Sequence, residues 1–143
     1  MSKPTRSRPV SKESSRIALQ KAQQFVDAAH TEYEKERWDA AGLSAIHAGI
    51  SAADAVLIFA VGIRSSAQDH SNVSSLLESS VASFRGSPRT HLVGLLKMKN
   101  VVAYEQRLIT QSEAQSLVKA ADRFLAWTYN NCSLSALPAP TEL

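Results

Sequence analysis

The chain is poor in the residues that punctuate and cross-link small folds. It has one cysteine, Cys132, so neither an intramolecular disulfide nor a cysteine-rich zinc site can form within it. Glycine and proline number five each, and no proline lies between Pro9 and Pro88. Aromatics are only 6% of the residues. A sandwich or barrel needs frequent turn signals, and this sequence does not supply them. What it has instead is alanine and serine, 21 and 20 residues of 143, with 44% hydrophobic residues overall. That is too apolar for general disorder and long enough for one domain with its own core.

Acidic charge is scarce at the start of the chain. Lys3, Arg6, Arg8, Lys12 and Arg16 face only Glu13 in residues 1–16, a local charge of +4. The whole chain carries +3, so the remaining 127 residues carry −1. The pI near 9.2 therefore belongs to the first residues and does not by itself mark a nucleic-acid protein. These residues hold no apolar stretch that would make a secretory signal. The longest apolar run, Ala40–Ile63, is interrupted by Ser44, His47, Ser51 and Asp54. An aspartate in mid-span would cost a membrane helix about 2.5–3.5 kcal/mol. The run is expected to be the central helix of a cytoplasmic protein that makes no membrane contact.

Periodicity predicts helices throughout. Ser11 can cap a first helix reaching about Lys35, with Ala18, Ala22, Phe25, Ala29 and Tyr33 on one stripe. A second helix should run from Trp38 to Val61, apolar on most sides, with Gly49 allowing close approach and Gly62 at its C-cap. Asp69 or Ser71 can cap a third, from about His70 to Phe84, with Val73, Leu76, Leu77, Val81 and Phe84 inward. The segment Arg85–Pro88 should break the chain before a short fourth helix around Leu92–Leu96. Lys99–Ile109 fits either a helical turn or an extended connector. Thr110 and Glu113 form a capping-box pattern for the last helix, with Ala114, Leu117, Val118, Ala121, Phe124 and Leu125 inward. The expectation is an all-α, antiparallel four-helix bundle with an additional short helix. It would have a flexible basic N-terminal tail at residues 1–10, the bundle at 11–131 and a loose C-terminal tail at 132–143.

Three groups of residues carry possible chemistry. Ser44, His47, Ser51 and Asp54 share one face of the second helix. They either satisfy one another and the backbone across the bundle, or border a pocket or a polar dimer seam. After that helix, Arg64, Asp69 and His70 fall within seven residues. His70 can act as a general acid or base and Arg64 can hold a phosphate, or Asp69 and Arg64 can serve the adjoining helix ends. Finally, no acidic residue occurs from Ser79 to Tyr104, where Arg85, Arg89, Lys97 and Lys99 lie. That segment suits phosphates, an acidic partner or plain solvation. No phosphate loop, dinucleotide fingerprint, metalloprotease or nucleophile-elbow motif is present, and the four histidines lack metal spacing, so neither a metal nor a cofactor is expected.

The run Trp38–Ala55 resembles the second helix of HEPN domains, small prokaryotic helical bundles. The similarity continues through Gly62–Ser65, Gln68–His70, Leu95–Glu105 and Ala120–Trp127, spanning roughly residues 14 to 128. The resemblance implies a HEPN-like fold and a homodimer. Many such proteins are ribonucleases of toxin–antitoxin or defence systems, often partnered by nucleotidyltransferases, while others only bind RNA, nucleotides or proteins. The ribonucleases carry an arginine followed by a histidine after four to six residues. Arg64 and His70 have that spacing, with Ser65 where the family often has asparagine; Arg85 and His91 have it again. The family's catalytic pair usually lies later, around the third and fourth helices, whereas Arg64 and His70 follow the second, so a non-catalytic binding module is expected, with His47, Ser51, Asp54, Asp69 and Tyr104 as candidate ligand-binding residues and Arg85, Arg89, Lys97 and Lys99 as candidate nucleic-acid contacts. The alternative is metal-independent RNA cleavage, in which His70 moves the 2′-hydroxyl proton and Arg64 stabilises the phosphorane.

Overall fold

A computed structural model describes residues 7–9, 11, 13–65 and 73–132. It is an all-α bundle of α1 (Glu13–Glu34), α2 (Trp38–Val61), α3 (Val73–Ser80), α4 (Ser87–Tyr104) and α5 (Gln111–Asn131). Helix α2 is central and packs against the other four. By length and composition it is apolar enough to cross a membrane, yet 67% of its apolar window is buried inside the bundle, as in a core helix.

Small residues on α2 allow its neighbours to close in. A Cβ at Gly49 would lie 2.7 Å from Leu95 Cδ1, and one at Gly42 would lie 2.8 Å from Ile109 Cδ1. Alanines 41, 45, 48, 52, 53 and 55 are also buried. Helix α2 ends where Gly62 takes φ 69°, a left-handed conformation that glycine adopts without strain, and its N–H donates to the Ile58 carbonyl.

The structure corrects several expected boundaries. The third helix stops at Ser80, because Val81 turns extended before a single 3₁₀ turn at Ala82–Phe84. Phe84 still reaches the core and meets Phe124 and Trp127. The fourth helix is long rather than short. Pro88 opens it instead of breaking the chain, since a first-turn proline gives up an N–H that has no helical partner anyway. The inward stripe of α1 is also rotated: Ser15, Leu19, Ala22, Val26 and Ala29 are buried, while Ala18, Phe25 and Tyr33 sit half-buried at its edge. Within the expected tail, β1 (Ser7–Pro9) pairs antiparallel with β2 (Ile63–Ser65), setting Arg8 opposite Arg64. Cys132, expected in the loose C-terminal tail, is buried and ends α5.

The capping box at the start of α5 forms as expected. Glu113 N–H donates to Thr110 Oγ1, and Thr110 N–H donates to Glu113 Oε1. Arg107 adds a two-pronged ion pair to the same carboxylate at 2.9 and 3.0 Å.

Candidate functional site

The polar line on α2 divides. Ser44 and Ser51 are half-buried, His47 is exposed and Asp54 is buried, with 7% of its surface accessible. His47 rests against Phe25 of α1, with ring centroids 5.5 Å apart. Its pKa is lowered, first by partial burial and then by Lys99. Burial thus deepens along the line from His47 to Asp54, and the chemistry concentrates at Asp54.

Asp54 reaches the core because helical spacing puts it on the side of α2 that faces α1. One turn after the helix ends, β2 brings Arg64 back alongside, with Arg64 Nη2 3.9 Å from Asp54 Oδ2. That separation is an ion pair without a short hydrogen bond. Asp54 Oδ1 and Arg64 Nε are both buried and have no hydrogen-bond partner. Burial raises the Asp54 pKa to about 6, and Arg64 counteracts this only in part. An unsatisfied buried pair of this kind is costly for a fold and is therefore a place to look for a ligand.

A cavity of about 280 Å³ opens beside the pair. Ser51, Asp54 and Ile58 of α2 form one wall, Ser14 and Lys21 of α1 another, and Arg64 closes one end. Ile17, 53% exposed, adds an apolar edge. Two cations, one acid and two hydroxyls against an apolar wall suit a small ligand that carries an anionic group and hydrogen-bond donors.

Other candidates lie elsewhere. Tyr104 is 72% exposed at the end of α4 and does not line this cavity. Arg85, Arg89 and Lys97 are exposed and Lys99 is half-buried. Arg89 pairs with Glu78 at 3.5 Å. His91 is half-buried in α4, and its pKa is lowered by burial and then by Arg123. Asp69 and His70, together with Gln68 and Ser71, lie outside the described residues. Among the described residues, no group of three or more His, Cys, Asp or Glu is placed to hold a metal ion. Cys132 is buried with its thiol pushed up to about 11, so it stays protonated and inert at neutral pH.

Sequence reasoning missed Ser14, Ile17 and Lys21. Lys21 is exposed, as expected of the polar side of α1, yet it lines the cavity; its spacing of seven from Ser14 is the signal that groups the two. The chain matches no model of a known protein family, and no curated protein matches it.

Proposed function

We propose that the chain is a HEPN-like, antiparallel helical-bundle protein acting as a non-catalytic binding module. It would be a cytoplasmic homodimer in a toxin–antitoxin or defence setting, taking a nucleotide or an RNA phosphate in the Asp54–Arg64 cavity. One observation carries this reading: a buried carboxylate and a half-exposed guanidinium, each with an unused polar atom, border a cavity of near-nucleotide size. Arg64 and Lys21 would receive the phosphate. Ser14, Ser51 and Asp54 would meet the sugar hydroxyls or an amino group of the base.

Calorimetric titration with adenosine and guanosine monophosphates, and with a short oligoribonucleotide, tests it. A lost charge-assisted hydrogen bond is worth about 1.5–3 kcal/mol, so Arg64→Ala and Lys21→Ala should each weaken binding by roughly tenfold or more. Binding that both variants leave unchanged, or no binding by the unaltered protein, refutes the reading. RNA cleavage abolished by both Arg64→Ala and His70→Ala would replace it with the ribonuclease alternative.

A further inference from the structure

We propose that the shallow groove between α4 and α5 is a docking site for an acidic amphipathic helix of a partner protein. The groove encloses about 270 Å³. Its floor is made of small side chains, Gly94 on α4 and Ser112, Ser116 and Ala120 on α5, with Met98 and Leu117 as its apolar contacts. A Cβ on Gly94 would meet no atom within 4 Å, so the space above that helix turn is open. Small floors of this kind let a guest helix lie close, and methionine adapts its shape to the guest's apolar residues.

The rim is cationic. Lys97 follows Gly94 by three residues on α4, while Lys119 and Arg123 each follow a lining serine by seven on α5; all three are exposed. The pKa of His91 is lowered first by burial and then by Arg123, which places Arg123 within electrostatic reach of the groove's lining. The neighbouring acids have other partners. Glu113, which itself lines the groove, is held by Arg107 and Thr110, Asp122 pairs with His30 at 2.8 Å, and Glu78 pairs with Arg89. The charge left to face a partner is therefore positive, which selects an acidic one.

Two other occupants fit less well. No phenylalanine, tyrosine or tryptophan lines the groove, and its one ring is the half-buried His91, so a single strand of RNA would find little there to stack on. A second copy of this chain using the same face would set lysines and Arg123 against their own counterparts. The inference is independent of the Asp54 cavity.

The test uses fluorescence anisotropy with a labelled helical peptide bearing a Leu/Ala stripe flanked by glutamates. Controls are the same peptide with lysines for glutamates, and a single-stranded oligoribonucleotide. The acidic peptide should bind and the lysine peptide should not. Gly94→Leu, which fills open space, and Arg123→Glu should each weaken binding by about tenfold or more, with the helical circular dichroism unchanged. The proposal is overturned if the acidic peptide does not bind, if both variants bind it as tightly as the unaltered protein, or if Arg123→Glu abolishes RNA binding instead.

Discussion

Helix α2 carries two aspartates in opposite circumstances. Asp39, in its first turn, accepts the backbone N–H of Ile109 at 2.7 Å and ties the entry to α5 onto the central helix. Its place in the first helical turn is also favourable for a negative charge. Asp54, four turns later, is buried beside an arginine that stays 3.9 Å away, with one oxygen unused. The first arrangement is finished and structural. The second is left open at a cavity, and the contrast within one helix separates scaffold from site.

The largest expected effect breaks the comparison through pH. A carboxyl whose folded pKa is raised from 3.8 to about 6 binds its proton more tightly when folded than when unfolded. Its contribution to stability is therefore full below about pH 4 and is lost as pH rises through about 6, a swing on the order of 3 kcal/mol. Asp54→Asn cannot ionise, so it should gain on the unaltered protein by that amount between pH 4 and 7.5. Urea unfolding at the two pH values measures the difference. His47 and His91, both with lowered pKa values, push the opposite way as pH falls through their ordinary value of 6.5, but they are common to both proteins and cancel. An equal stability difference at both pH values would mean that ionised Asp54 carries no burden.

Asp39→Ala should behave differently. It leaves the Ile109 N–H without its acceptor, beside a side chain only 2% exposed, at a cost of about 1–3 kcal/mol. That cost comes from a lost hydrogen-bond acceptor, so it should not grow between pH 5 and 7 as the Asp54 effect does. Thermal unfolding across that range checks it; a loss that tracked pH would dissolve the distinction between the two aspartates.

Much of this scaffold was legible in the sequence. The limits of α2, its Gly62 cap, the inward residues of α5 and the Thr110–Glu113 box all rest on local chemistry, which a single segment expresses by itself. The third and fourth helices were misread because Ser79, Ser80 and Pro88 are ambiguous signals. Proline closes one helix and opens the next with equal ease. The stripe on α1 was misread for another reason: two stripes share Ala22 and Ala29, and only packing against α2 decides for Leu19 and Val26. Asp54 and Arg64 were both identifiable as polar anomalies, but their pairing depends on the turn of the chain through Gly62 into β2. Lys21 joins them from a separate helix, and no spacing within one segment reveals that.

The smallest effect sharpens the same contrast at the other end of the molecule. The box around Glu113 is fully used: Thr110 supplies both a hydroxyl acceptor and an N–H donor, and Arg107 holds both carboxylate oxygens. These partners hold the Glu113 carboxyl down to about 2, with the Arg107 hydrogen bonds the largest cause. A carboxyl lowered in this way contributes stability that is present above its ordinary value of 4.5 and fades as pH falls toward 2, the reverse of Asp54. Removing one member of so redundant a set should cost little. Thr110→Ala loses the hydroxyl acceptor but keeps its own N–H and both arginine contacts, so its cost should fall near the low end of a cap substitution, about 0.5–1 kcal/mol. That cost should stay constant from pH 5 to 8, where Glu113 remains ionised. Urea unfolding at those two pH values measures it. A loss several times larger would show that Thr110 organises the Arg107 pair as well as the helix end, so that the box is cooperative rather than redundant.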